Sequence, residues 1–191
     1  INFDAEIRME KIAGRKSIDY AYTGNPRELS FEKGRKITWS CEETPTSVKT
    51  TYYKDRGSVL TNAENAGALT EGGAPADKGD YYVKVEMTFR EKYKSESDYL
   101  LYKISDGEIE VTMDGHSEPY VTLTEAFRDT EGKTAQMKLL KNIESVREVE
   151  VNSGNLILDL NGYRLQNLKR TTLNQDASLK ITDSSETQTG V

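Results

Sequence analysis

Few residues in this 191-residue chain could do chemistry, and their spacing limits what that chemistry is. His116 is the sole histidine, set in Asp114-Gly115-His116-Ser117. A nucleophilic triad needs a serine and a carboxylate converging on the imidazole, and the Gly-x-Ser-x-Gly elbow that would present such a serine is absent. His116 therefore reads as a surface turn residue. Cys41 is the only cysteine, which rules out an internal disulfide and a multi-cysteine metal site. One histidine and one cysteine far apart in sequence are a poor zinc set. The flanks Ile37-Thr38-Trp39-Ser40-Cys41 alternate, so this thiol is expected half-buried on a strand.

Carboxylates are plentiful, and three groupings come closest to an acid–base arrangement: Asp77 with Asp80, Asp106 with Glu108 and Glu110, and Asp159 with Asp183. A glycosidase holds two carboxylates at a set separation across a cleft, one with a raised pKa. Asp159 and Asp183 have the most suggestive separation, but each also reads as an outward polar residue or a turn cap. No Asp-x-Asp-x-Asp-Gly calcium loop occurs. Glu71-Gly72-Gly73-Ala74-Pro75 lacks the GK[ST] ending and following helix of a phosphate cradle, and reads as a loop. No cofactor or metal is expected. The 11 tyrosines offer another chemistry, because exposed rings stack against sugar faces. Tyr52 and Tyr53 must lie on opposite faces of one strand, as must Tyr81 and Tyr82. Tyr52, Tyr53 and Tyr82 are the candidate ligand-binding residues.

Composition limits the partners. Lys+Arg 26 against Asp+Glu 32 gives a net charge of -6. A phosphate-gripping domain needs a basic face, so nucleic acid is not an expected partner. No apolar run approaches the roughly 20 residues that span a bilayer, so membrane insertion is not expected either. The chain opens on Ile1 instead of methionine, which reads as the result of N-terminal removal.

The elements that must position these residues fall into two blocks, 1–106 and 107–191. The first is a run of short alternating segments: Ile7 and Met9; Ile18, Tyr20 and Tyr22; Leu29 and Phe31; Ile37, Trp39 and Cys41; Val48 to Tyr53. Thr23-Gly24-Asn25-Pro26 turns the chain. Residues 56–78 read as an extended loop with one short strand at most. In Asp80-Tyr-Tyr-Val-Lys-Val-Glu-Met-Thr-Phe-Arg-Glu91, Tyr81, Val83, Val85, Met87 and Phe89 take successive odd positions, while Lys84, Glu86, Thr88 and Arg90 face out. After a loop at Lys92 to Ser97, Asp98 to Ile104 forms a last strand. Six to eight short strands in about 100 residues predict an antiparallel sandwich. The order Tyr20-x-Tyr22-Thr23-Gly24-x-Pro26, Tyr52-Tyr53, Lys78-Gly79-Asp80-Tyr81-Tyr82-Val83-Lys84-Val85 resembles immunoglobulin-like repeats of Gram-positive bacterial surface proteins. That resemblance implies a spacer or stalk module and covers roughly residues 15–104.

The second block changes pattern. Ile109, Val111 and Met113 alternate and Asp114-Gly115 turns. Thr122 then caps a short helix carrying Leu123, Glu125, Ala126 and Phe127, with Gly132 as its stop. Ala135, Met137 and Leu139 form a strand, and Val146, Val149 and Val151 another. A polar turn is expected at Asn152-Ser153-Gly154, followed by a strand from Leu156 to Leu160. Asn161-Gly162 turns, Leu165, Leu168 and Leu173 follow, and Leu179-Lys180-Ile181 closes the series. Recurrence at roughly 20 residues predicts coils of a solenoid, each stacking its leucines on the coils before and after. Tyr120-x-Thr122-Leu123-x-Glu125-Ala126-Phe127, Met137-Lys-Leu139-Leu140-Lys141-Asn142-Ile143, Leu158-Asp159-Leu160-Asn161-Gly162-Tyr163-x-Leu165 and Leu179-Lys-Ile181-Thr182-Asp183-Ser184-Ser185 resemble the N-terminal cap and first coils of pectate-lyase-like right-handed parallel β-helices.

The fold class expected is therefore all-β: an immunoglobulin-like β-sandwich followed by the start of a right-handed parallel β-helix with one short capping helix. Both resemblances imply a non-catalytic structural or adhesive fragment of a bacterial surface protein. It would be extracellular, secreted or cell-wall-attached, with a host or microbial glycan or protein as partner. Because the β-helix family carries more coils than end here at Val191, the chain reads as part of a longer protein, and the open coil end reads as a place for self-association. The rival function is the N-terminal part of a carbohydrate-active β-helix enzyme, a polysaccharide lyase or glycosidase whose catalytic coils lie beyond Val191.

Overall fold

The computed structural model describes residues 5–9, 17–31, 36–54, 70–90, 93–144, 148–168 and 170–186. Among the described residues the chain is all-β with one short helix. It divides into two compact units, Ile1–Ser105 and Asp106–Val191, each built around its own apolar cluster.

In the first unit, β1 (Ile7–Met9) pairs antiparallel with β3 (Ile37–Trp39). The remaining strands are β2 (Ile18–Ala21), β4 (Ser47–Lys54), β5 (Thr70–Gly72), β6 (Gly79–Phe89), β7 (Tyr93–Glu96) and β8 (Leu100–Ser105). They form one sheet ordered β2-β8-β6-β4-β5, with β7 continuing the β8 edge of β6. Pairing is antiparallel except for β2 with β8, which run parallel. The alternation in β6 is realised: Tyr81, Val83, Val85, Met87 and Phe89 are all buried. They share a core with Ile7 and Ile37 of the small sheet and with Tyr52 and Tyr102 of the large one.

Several local expectations in this unit are corrected. The stretch Lys92–Ser97 is not a loop throughout, since Tyr93–Glu96 is strand β7 and the chain reverses near Arg90, whose φ is 42°. At the break between β7 and β8, the Ser97 hydroxyl accepts from the Val85 amide (2.8 Å) while the Ser97 amide donates to the Val85 carbonyl. Cys41 lies outside β3, which stops at Trp39. The indole N–H of Trp39 donates to the Glu43 carbonyl (3.0 Å), and the bend so formed leaves the thiol half-buried.

Leu29 and Phe31 alternate yet form no strand. Three core tyrosines replace the ladder there. The phenol of Tyr102 donates to the Arg27 carbonyl, and the phenols of Tyr52 and Tyr20 accept from the Leu29 and Ser30 amides at 2.7 Å each. Main-chain polar groups must find partners when buried, and these phenols provide them.

The second unit contains β9 (Ile109–Met113), β10 (His116–Tyr120), α1 (Leu123–Asp129), β11 (Thr134–Leu139), β12 (Glu148–Asp159) and β13 (Arg170–Thr182). One sheet runs β10-β9-β11-β12-β13. Strands β9 and β10 form a hairpin across Asp114-Gly115, whose φ values of 50° and 79° suit a tight turn. Thr122 caps α1 by accepting from the Glu125 amide, and the Glu108 carboxylate accepts from Leu123, so two of the orphan amides are met. The helix ends at Thr130, two residues before Gly132, because the Thr130 amide and hydroxyl both bond the Ala126 carbonyl.

The polar turn expected at Asn152–Gly154 is a corner inside one long strand. Burial in β12 falls on Val149 and Val151 before it and on Leu156 and Leu158 after it, so the inward parity changes within residues 152–155. Gly154 has φ +97°, and a Cβ there would lie 2.3 Å from the Lys133 carbonyl oxygen; the corner requires glycine.

Leu156 and Leu158 do not sit in a hairpin. Met137 lies beside Leu158 and Leu158 beside Ile181, parallel steps of 21 and 23 residues. The same kind of step recurs at Ile143 with Leu165 and at Val149 with Thr171, each 22 residues. Each of these segments thus lies beside the one 21 to 23 residues, or one circuit of chain, before it, with Leu156 beside Leu179 and Leu158 beside Ile181.

Candidate functional site

The tyrosine candidates separate by sheet face. Tyr52 is only 5% exposed, its phenol is tied to Leu29 and its ring meets Tyr102 edge-on at 5.5 Å. Burial pushes its pKa up, partly offset by the hydrogen bond from Leu29. Tyr52 is core and not a ligand platform, because its face of β4 is the face that packs on the small sheet. Tyr53 and Tyr82 lie on the opposite face and are direct register partners. Tyr82 is 8% exposed, whereas Tyr53 is half-buried and meets Tyr99 edge-on at 5.2 Å.

Lys84 sits 6.0 Å above the Tyr99 ring and 2.7 Å from Glu96. That hydrogen bond raises the Lys84 pKa, and the same bond lowers that of Glu96. The accessible aromatic patch is therefore Tyr53 with Tyr99, bordered by an ion pair. Tyr99 was not singled out in the sequence, since its ring meets Tyr53 only after β8 and β4 are brought to opposite sides of β6. A cleft of about 270 Å³ opens at the end of β4 and β5 and is lined by Tyr52, Tyr53, Tyr81, Lys54, Asp77 and Gly73. The Tyr81 phenol donates to the Asp77 carbonyl in its wall (2.9 Å).

Each carboxylate grouping has members engaged in structure. Asp80 faces Lys103 at 3.7 Å. Glu108 caps α1, and Glu110 lies opposite Lys138 in the β9–β11 ladder. Asp159 and Asp183 do approach each other's turns, but as staples. Asp159 Oδ1 accepts from the Asn161 amide (2.9 Å) in its own circuit and from the Ser184 amide (2.8 Å) in the next, while Oδ2 accepts from the Ser184 hydroxyl. Asp183 Oδ1 accepts from the Ser185 amide in its own circuit and from the Gly162 amide in the one before. Partial burial would raise the Asp159 pKa. The Ser184 hydroxyl and amide, the Asn161 amide and nearby Lys138 outweigh it and hold the carboxyl below its ordinary value.

These staples belong to a wider ladder between circuits. Asn161 donates to the Leu139 carbonyl, Asn142 accepts from the Arg164 amide, Asn167 donates to the Glu144 carbonyl, Asn174 to Asn152, and Ser178 to Asn155. Each bond spans 22 or 23 residues, the same step as the strand pairing. A carboxyl held below its ordinary value is the opposite of what a general acid needs, so Asp159 is not placed to be the protonated member of an acid–base pair.

His116 starts β10, exposed and opposite Met113. Gly72 ends β5 and Gly73 follows it, so the glycine-rich stretch is half strand and half bend. Among the described residues, no cluster of three or more histidine, cysteine or acidic side chains could hold a metal ion. No helix among them is long and apolar enough to cross a membrane. Comparison with protein-family models, with curated proteins and with solved structures gives no match.

Proposed function

We propose that the chain is a structural and adhesive segment of a bacterial surface protein, with an immunoglobulin-like sandwich leading into the capped first coils of a right-handed parallel β-helix. The observation that carries this reading is the Asp159–Asp183 corner. The acidic residues whose spacing best suited catalysis are committed to holding one circuit on the next. Parallel steps of 21 to 23 residues, a side-chain ladder at the same interval and a short helix beside the first circuit all support a capped solenoid. In the first unit, two sheets around one core and β2 running parallel on the β8 edge support the sandwich. Its role would be to space and orient, in a protein that is secreted or attached to the cell wall. Tyr53 and Tyr99 would supply a small glycan-facing patch.

The test is a panel of neutral and acidic polysaccharides incubated with the chain, followed by new reducing ends and by unsaturated products. No turnover is expected. Turnover by the wild-type chain would replace this reading with that of a carbohydrate-active enzyme. On a glycan array, Tyr53→Ala should remove whatever signal the wild-type chain gives.

A further inference from the structure

Among the described residues, the first half of β12 has a strand partner on one side only. On one side, Glu148 to Val151 pair with β13, Glu148 lying opposite Arg170 and Val151 opposite Leu173. On the other side β11 begins only opposite Asn155. Among the described residues, no strand runs along 148–152 there. That edge opens into a cleft of about 320 Å³ between α1 and β12. Leu123, Phe127, Val149, Val151 and Leu156 give it an apolar floor. Glu131, Glu148 and Glu150 stand on its rim, all exposed. Arg128, also on the rim, is engaged by Asp129 at 3.1 Å, and Glu148 faces Arg170 at 3.6 Å. Among the described residues, no ion pair or side-chain hydrogen bond meets Glu131 or Glu150.

We propose that this cleft is a strand-addition site for an extended segment of another protein in which apolar side chains alternate with lysine or arginine. Three features converge on that chemistry. An open strand edge offers main-chain donors and acceptors to a partner strand. A strand laid along it sends every second side chain to the Val149–Val151 face, into the apolar floor. The intervening side chains come to lie beside Glu148 and Glu150, where opposite charge stabilises a cross-strand pair and like charge destabilises it. Arg170 already makes such a pair with Glu148 from the β13 side. The net charge of -6 steers the same class of partner. This site lies within the second unit and needs neither the tyrosine patch nor the surface-protein reading.

The experiment uses the full chain and three fluorescein-labelled hexapeptides, alternating valine with lysine, valine with glutamate, and serine with lysine, followed by fluorescence anisotropy at low salt. The valine–lysine peptide is expected to bind, with each of the other two weaker by about tenfold or more. In Glu131→Lys/Glu150→Lys, affinity for valine–lysine should fall by about tenfold and that for valine–glutamate should rise. Circular dichroism reports whether the variant keeps its fold. Hydrogen exchange with the wild-type chain gives a readout independent of any variant: protection on adding valine–lysine should be confined to residues 148–153. Equal binding of serine–lysine, a folded variant with undiminished affinity for valine–lysine, or protection located along β13 instead would each overturn the proposal.

Discussion

At the scale of single residues, Asp159 shows how a catalytic-looking carboxylate becomes architecture. It accepts two amides and a hydroxyl from two circuits, so Asp159→Ala should cost about 2 kcal/mol in urea unfolding through the loss of charge-assisted hydrogen bonds. The pH dependence follows from the sign of its shift. A carboxyl held below its unfolded value contributes stability that is fully present above the unfolded pKa and fades as pH falls through the folded one. Thermal unfolding followed from neutral pH downward should therefore lose stability below the ordinary carboxylate range near ~4, and Asp159→Asn should flatten that part of the curve. Gly154 is the second residue whose identity is fixed. Its positive φ and the 2.3 Å approach of the Lys133 carbonyl mean that Gly154→Ala should destabilise by at least about 2 kcal/mol, read as a drop in urea midpoint.

Elements here are held by side chains as much as by ladders. Residues 27–30 lie outside the strands; the Arg27 amide donates to the Pro75 carbonyl, and Tyr102, Tyr52 and Tyr20 meet the Arg27 carbonyl and the Leu29 and Ser30 amides. Tyr52→Phe keeps the ring but strands the Leu29 amide, and should lower stability by about 1–3 kcal/mol in denaturant unfolding. A control such as Tyr22→Phe, at an exposed ring, should change little. Helix α1, only 7 residues long, is too short to persist alone and leans on its caps and packing. Thr122→Ala should cost about 1 kcal/mol, with faster amide exchange in Glu125 as its local sign.

For the molecule as a whole, the relevant fact is that each unit closes its own core. The first gathers Ile7, Ile37, Val83, Val85 and Tyr102, and the second gathers Ile109, Met137, Leu139, Leu156 and Leu158. Residues 1–105 and 106–191 expressed separately should each unfold in a cooperative transition, as judged by circular dichroism against urea. Among the described residues β13 is the last strand of its sheet, and Leu173 and Ile181 on it are about half exposed, at 47% and 52%. A long edge strand with exposed aliphatics is an association hazard, so Ile181→Lys should raise solubility and reduce concentration-dependent self-association in sedimentation velocity.

The sequence by itself determined the local periods. Alternation in Tyr81–Phe89 and in Leu156–Leu160 dictated strands, Thr122 dictated the helix start, and Asn161-Gly162 dictated a turn, because each depends on neighbours a few residues away. The roughly 20-residue recurrence even carried the step by which the leucines stack. What only the tertiary structure decided was partnership across long separations. Leu29 and Phe31 have a strand's pattern but find phenols in place of a ladder. Asn152–Gly154 has a turn's composition but bends inside a paired strand. Tyr52 and Tyr53 are neighbours in sequence, and only the packing of the small sheet made one core and left the other at the surface. Spacing alone offers Asp159 as an acid or base or as a turn cap, and only the fold brings Ser184, one circuit on, to donate to it. Periodicity fixes which face a side chain takes, whereas burial, protonation and free edges depend on what that face meets.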